Sequence, residues 1–333
     1  MMKSNSHRRD KATGRRRVRR NESARYAVDQ SPLWGLKSIH RLAELIDVSA
    51  EDLEHACMSP SYREFDDPPK ADAKPGTTPR HIEEPVEATL RIHYRLLKFF
   101  DSISRPDFIH SAMKGRSYIS NASAHQHSPG AVVVMDIRKF YENTTYEQVK
   151  KFFIRDLGCA VDVAKHLAAV CTVNGHLPTG SCLSPILSYF VHGCMFSEIE
   201  HLCIDRGVVM TLYIDDMTFS GIGATKSLMY AVKVAVKRQG LRTHPIKDAA
   251  LKPGKPAIIT GVVRNRESIH LRNKHHDAIV ATQDSVADGN LAAMDKLKGQ
   301  MAAARSVDCH AAGKLDARLH RLMSGTKPAG MLP

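Results

Sequence analysis

"TLYIDDMTFSG", residues 211–221, sets two adjacent aspartates between runs of apolar and β-prone residues. The flanks have the composition of strands, so Asp215 and Asp216 fall where a hairpin turns. Neighbouring carboxylates repel each other and resist burial. The pair therefore has two readings: a turn that suits short polar side chains, or a seat for a divalent cation whose charge reverses the repulsion. A second acidic position bears on the choice. "GAVVVMDI", residues 130–137, is a continuous β-branched run with the pattern of a buried strand, and it closes on Asp136. Alone, Asp136 reads as a cap for the segment that follows. Acids at the ends of two paired strands favour the cation, because two magnesium ions roughly 3.5–4 Å apart can clamp both oxygens of a phosphoryl displacement. Magnesium takes few protein carboxylates and completes its shell with water and substrate phosphates.

The bulk properties set limits. A chain of 333 residues has room for two or three packed subdomains, and 43% hydrophobic with 25% charged residues is ordinary for a soluble protein. No apolar run reaches the length of a membrane span and no signal-peptide pattern is present, so a cytoplasmic protein without a membrane partner is expected. Seven cysteines (57, 159, 171, 182, 194, 203 and 309) are scattered without a CxxC spacing, which favours reduced thiols over a disulfide frame or a zinc site. Of the net charge of +13, residues 1–20 carry +8, from nine Lys or Arg against Asp10 alone. Such a tail is either a disordered solubilising segment or a sequence-blind grip on phosphates.

Along the chain, Ser31–Pro32 open a first pair of amphipathic helices with Leu33, Leu36, Ile39, Leu42 and Ile46 in register. Residues 66–80 form an extended basic loop. A helix over "PVEATLRIHYRLLKFFDSIS" shows its apolar face through Leu90, Tyr94, Leu97 and Ile103. Helices are expected at 144–158, from Ser184–Pro185 to Leu202, and at 225–240. A hairpin over 257–272 turns near Asn265, and the remainder is helical with Leu291, Met294, Leu297, Met301 and Ala304 aligned. This order predicts an α+β protein with an antiparallel sheet and helices on one face.

"VVVMDIRKFYENT", "LPTGSCLSPILSYF", "LYIDDMTFSG", "HPIKDA" and "ITGVVRN" stand in the order and approximate spacing of the reverse-transcriptase palm motifs. "NASAHQH" at 121–127 and "ITG" at 259–261 resemble the NAxxH and VTG elements of the bacterial retron branch, and the resemblance runs from about residue 31 to 325. It implies a right-hand polymerase: a basic tail at 1–30, N-terminal helices and fingers at 31–120, a palm with fingers insertions at 121–272, and a helical thumb at 273–333. The thumb's Lys274, His275, His276, Lys296, Lys298, Arg305, Arg318 and Arg321 suit either A-form RNA or plain solvation.

What the resemblance implies for the site runs residue by residue. Asp136, Asp215 and Asp216 are the catalytic acids and the ligands of two Mg2+ ions, with Mn2+ as a substitute. Tyr141 is the aromatic gate under the sugar, or a core aromatic like Phe140. Lys70 and Arg80 grip the triphosphate of the incoming dNTP, and Lys247 faces the leaving pyrophosphate. Thr179 stands where the family usually has Gln, next to Gly180, and Ile214 stands where retron enzymes usually carry Ala. By themselves Asn121 reads as a cap and His125 as a buried histidine; for these two, with Thr260 and Gly261, the resemblance implies a retron-specific role, contacting RNA or ordering the loop beside the active site. The implied activity is copying of part of a cognate noncoding RNA of the msr-msd type into single-stranded msDNA. Priming from an RNA 2′-hydroxyl, an RNA–DNA product, a separate effector protein and antiphage defence are implied with it. Rivals are a group II intron or diversity-generating enzyme and a non-catalytic RNA-binding or DNA-binding protein that kept the fold. About 50 residues after the palm leave no room for the intron enzymes' extra parts.

Overall fold

The structure is a computed structural model that describes residues 25–69, 78–265 and 268–324. In chain order its elements are α1 (Ile39–Ile46), α2 (Ala50–Met58), β1 (Tyr62–Asp67), β2 (Arg80–Pro85), α3 (Glu87–Asp101), α4 (Tyr118–Ser123), β3 (Ala131–Asp136), α5 (Tyr146–Arg155), α6 (Val161–Cys171), α7 (Ser184–Val191) and α8 (Gly193–Ile204). Then follow β4 (Val209–Tyr213), β5 (Asp216–Gly221), α9 (Lys226–Arg238), β6 (Ala249–Leu251), β7 (Ala257–Ile259), β8 (Val262–Asn265), β9 (Ser268–His270), α10 (Asn273–Ala287), α11 (Met294–Val307) and α12 (Cys309–Ser324). The class is α+β, and every sheet is antiparallel, as the sequence predicts.

Three sheets are present among the described residues: the hairpin β1-β2, a central sheet in the order β4-β5-β3-β6, and a meander β7-β8-β9. The strand period of two explains why β3 reads as unbroken apolar sequence. Val133 and Met135 pack with Met195, Phe196 and Ile199 of α8 and with Leu228, Val232 and Val236 of α9. Val132 and Val134 face the other way, onto Ala122 of α4 and Ala257, Ile259 and Val262 of the meander. Both faces of the strand are therefore covered. A separate core joins α1, α2 and α3 to α5, α6 and α7, and α10, α11 and α12 bury Ile279, Val286, Leu297, Met301 and Leu315 among themselves.

Local chemistry sets the element ends. Thr145 caps α5 in a reciprocal box with Gln148, and Thr225 caps α9 through the Leu228 amide. Five expectations need correction, one being that the helix expected from Ser184 to Leu202 is two helices, α7 and α8, parted at His192. The first helix starts after Ser38, whose hydroxyl accepts from the Arg41 amide, and Ser31–Pro32 lie in turns instead. α3 buries Ile92, His93, Leu96 and Phe100, whereas Tyr94 is 51% exposed. His93 fits the core as a neutral ring between the Ser181 hydroxyl and the Val170 carbonyl, each at 2.7 Å, and burial pulls its pKa down to about 4. The expected hairpin that closes after Asn265 is present as β8-β9, but a third strand, β7, precedes it through a turn at Thr260–Gly261. Leu291 sits outside the apolar stripe, largely exposed before α11.

The β1-β2 hairpin is fastened to the core by the turn before α7. The Thr179 hydroxyl donates to the His81 carbonyl at 2.9 Å and accepts from the Glu83 amide at 3.1 Å. The Gly180 amide donates to the Glu83 carbonyl at 3.1 Å. A Cβ at Gly180 would lie 2.9 Å from the Glu83 carbonyl oxygen and 3.0 Å from Glu84 Cα, so only glycine permits this approach. Gly180→Ala is expected to cost about 1–3 kcal/mol through that overlap, read as a lowered Tm with unchanged circular dichroism at low temperature.

Candidate active site

The hairpin β4-β5 turns through Ile214 and Asp215, and the pairing of β3 with β5 sets Asp136 directly opposite Asp216. The Ile137 amide donates to the Asp215 carbonyl at 3.0 Å, which ties the turn to the end of β3. One carboxylate oxygen from each of Asp136, Asp215 and Asp216 lies within 4.8 Å of the others. Asp136 is 6% exposed and the other two are half-buried. Asp136 thus joins an adjacent pair that lies more than 75 positions further along the sequence.

Their electrostatics show what the cluster lacks. Burial, then the charge of Asp136, pushes Asp215 up to about 6; burial, then Asp215 and Asp136, pushes Asp216 up to about 7. The only cation in direct contact among the described residues is Lys247, whose Nζ donates to Asp136 Oδ2 at 2.6 Å. Burial pulls the Lys247 ammonium down, but the hydrogen bond and charge of Asp136, with Asp216 and Asp215 behind it, hold it above the usual lysine value. An all-oxygen donor set with three carboxylates and one lysine fits a hard divalent cation. Lys247 belongs to the segment that closes over β3, where the His244 amide donates to the Asp136 carbonyl at 2.8 Å. The structure thus holds Lys247 on an acid, a contact that the expected pyrophosphate-facing position did not include.

The other expected residues divide into two groups. Tyr141 lies beside the acids: burial and the Asp215 charge raise its hydroxyl well above the usual tyrosine value, and its ring stacks on Phe140 at 6.1 Å. Arg80, exposed at the start of β2, is near enough to Asp215 and Tyr141 to lower the pKa of both. Thr179 and Gly180 stand behind Arg80 as backbone anchors of β2. Lys70 lies outside the described residues, as does the basic segment 1–24 of the tail.

Asn121, His125, Thr260 and Gly261 are elsewhere and do a different job. Asn121 and His125 are 0% exposed, so His125 is the buried histidine of the plain reading, and the expected contact with RNA is not open to either. His125 bridges β4 and β5, with Nδ1 2.7 Å from the Ser220 hydroxyl and Nε2 2.8 Å from that of Thr211. Its burial holds the ring neutral, with a pKa near 3. Its carbonyl accepts from Arg264 Nε at 3.0 Å, and the Ser128 carbonyl accepts from Arg264 Nη2 at 2.6 Å. Thr260 and Gly261 form the β7-β8 turn, with φ of 44° and 87°. Positive φ is costly for a β-branched residue, and here the side chain holds it: the Thr260 hydroxyl donates to the Tyr118 carbonyl at 2.9 Å and accepts from the Asn121 side-chain Nδ2 at 3.4 Å. The "NASAHQH" and "ITG" elements are therefore two halves of one clasp, joining α4 to both sheets.

Two features escaped the sequence reading. Ser111 accepts from the Ile214 amide at 2.9 Å and supports the turn bearing Asp215, in which Ile214 has φ of 62°. Arg264, 3% exposed, has no motif signal beyond its place in "VVRN".

No protein-family model matches the sequence. Individual proteins do, and together they show a likeness to one class, the retron reverse transcriptases. The chain is 27% identical over 190 residues to the retron Se72 reverse transcriptase of Salmonella heidelberg, covering 55% of this chain and 48% of that protein. It is 22% identical over 218 residues to the retron Ec86 reverse transcriptase of Escherichia coli, covering 64% of this chain and 67% of that one. It is 27% identical over 186 residues to the retron Mx162 reverse transcriptase of Myxococcus xanthus, covering 47% and 38%. The resemblance stated from the motifs is thus borne out, and the match spans about half the length of the Se72 protein. Among solved structures, a foamy viral protease–reverse transcriptase in complex with double-stranded DNA aligns with a TM-score of 0.45 and 14% identity, over 80% of this chain and 40% of that one.

The raised carboxyl values have a consequence for stability. A fold that raises Asp216 to about 7 favours its protonated form, so this stability is complete below the ordinary carboxyl range and is lost as pH rises through about 7. In metal-free protein near pH 8, Asp216→Asn is expected to melt above the wild type, by about 2–4 °C for each kcal/mol of repulsion removed. The gap should close near pH 4, and Mg2+ should raise the wild-type Tm near pH 8 more than that of the variant. Equal melting of both proteins across this range would count against the electrostatic account.

Proposed function

We propose that this chain is an RNA-directed DNA polymerase of the retron type, acting by nucleotidyl transfer from dNTPs. The observation that carries the reading is the convergence of Asp136, Asp215 and Asp216 within 4.8 Å at the joined ends of β3 and the β4-β5 hairpin. The likeness to retron reverse transcriptases supports it. Residues 31–120 would act as fingers, 121–272 as palm and 273–333 as thumb, with 1–30 as a basic extension.

In this reading the three aspartates hold two Mg2+ ions, for which Mn2+ can substitute. Such ions, when bound, would supply the positive charge that favours ionisation of a primer hydroxyl and offsets charge on the α-phosphate and the leaving pyrophosphate. The chain's own residues do the rest. Lys247, on Asp136 in the structure, would meet the polyphosphate from that position. Arg80 offers a bidentate guanidinium to the triphosphate, and Lys70 would add a second charge from the same hairpin. Thr179 and Gly180 keep β2, and so Arg80, at fixed height above the acids. The Tyr141 ring forms the floor under the sugar, where a 2′-hydroxyl would collide with it.

The finer parts of the proposal follow the retron likeness. The template and primer would be a cognate structured RNA of the msr-msd type, with synthesis begun from an RNA 2′-hydroxyl and msDNA as product. A role in antiphage defence beside a separate effector protein, in a bacterial cytoplasm, completes it. A non-catalytic RNA-binding protein with the same fold is the reading to exclude.

Purified chain, a primed RNA, dNTPs and Mg2+ decide between them. Extension by the wild type and none by Asp215→Ala is the expected result; no extension by a folded wild type, or equal extension by both, would overturn the polymerase reading. Tyr141→Ala should keep extension on dNTPs while narrowing the preference for dNTPs over rNTPs by about tenfold or more, measured as the ratio of kcat/KM values.

A further inference from the structure

The β1-β2 hairpin carries a second cluster with metal-ligating side chains, remote in role from the three aspartates. Its two faces differ in charge logic. On one face Arg63 stands opposite Glu84 and forms an ion pair with it. On the other, Glu64 stands directly opposite Glu83, and Asp66 opposite His81. Two like charges in directly opposed positions destabilise a strand pair. Glu83 adds to the cost: it is 2% exposed, and its Oε2 is buried without a hydrogen-bond partner. Its Oε1 accepts weakly from Asn174 Nδ2 at 3.4 Å, with His176 Nε2 3.6 Å away.

The histidines are oriented as metal-binding imidazoles are. His81 Nδ1 lies 3.0 Å from Asp66 Oδ1, which accepts its proton, while Nε2 faces Glu64 Oε2 at 3.4 Å. His176 Nδ1 is 3.1 Å from the Leu177 carbonyl, again leaving Nε2 turned toward Glu83. An acceptor on Nδ1 fixes the tautomer whose Nε2 lone pair is available to a cation. One ligand atom from each of Glu64, His81 and Glu83 already lies within 4.8 Å of the others.

We propose that Glu64, His81 and Glu83 bind a divalent transition-metal ion of the zinc type, with His176 as a fourth donor and Asp66 orienting His81. A mixed carboxylate and imidazole set suits such an ion better than magnesium. The ion neutralises the opposed glutamates and gives the buried Glu83 oxygen a partner. It also joins the hairpin to the loop bearing His176 and Thr179, so that the arm holding Arg80 stiffens when it binds. A proton on His81 alone is the competing way to balance these acids.

The test is calorimetric titration of ZnCl2 into the full chain, stripped of metal and then held in excess Mg2+ so that the three aspartates are satisfied. His81→Ala and Glu64→Gln alter exposed side chains, and circular dichroism checks that each variant is folded. The expected result is a Zn2+ site in the wild type that weakens by about tenfold or more in both variants. A Co2+ visible absorption band should be present in the wild type and absent in His81→Ala. No Zn2+ binding by the wild type, or the same affinity and stoichiometry in either folded variant, overturns the proposal. Because the measurement reads binding, its outcome is separate from whether the chain extends a primer.

Discussion

The pairing of β3 with β5 is the constraint on which the site depends. It sets Asp136 against Asp216, so the ladder's last rung is a pair of like charges that pairing energy alone does not favour. What holds the rung closed lies under it: Val133 and Met135 are sunk into the helices behind the sheet, and Val132 packs on the other side. A slip of one residue would turn the valines over and carry Asp136 toward the packed helices. Hydrophobic burial fixes the register, and the register then places charges where they repel. Lys247 takes up part of that repulsion; burial first, and then the neighbouring aspartate charges, keep Asp215 and Asp216 raised.

The neutral histidines follow the same division of labour. His93 links α3 to the Val170 carbonyl and Ser181, and His125 links the two strands of the β4-β5 hairpin. Each satisfies two partners in a dry setting, where an unpaired polar atom is costly and a paired one specifies a single arrangement. Arg264 extends the network from His125 to the meander. The scaffold around the acids is thus polar where elements must meet in one way and apolar where they need only pack.

The acids were legible in the sequence because strand patterns end on them: "GAVVVMDI" and "TLYIDDMTFSG" name their own geometry once paired. The place of α5 within 144–158 and the stop of α9 at Gly240 were legible for similarly local reasons. Tyr94 was misplaced because a large aromatic was counted as core while His93, one residue before it, was not. Burial of a histidine depends on partners 77 and 88 positions away, which no local period reveals. The same holds for Asn121 and Thr260, which are 139 positions apart and read separately as motif residues. Their joint task is visible only once the turn at Thr260 is seen to need support.

The segment before α4 has a consequence beyond the site. The Leu212 amide donates to the Phe108 carbonyl at 2.8 Å and the His110 amide to the Leu212 carbonyl at 2.9 Å, so residues 108–110 run alongside β4 as an extra rail. At the opposite margin β6 offers only three residues. Neither rim of the central sheet therefore presents a long row of vacant amides and carbonyls. A stray extended peptide finds no template there, and the hairpin bearing the acids is shielded from strand exchange between molecules.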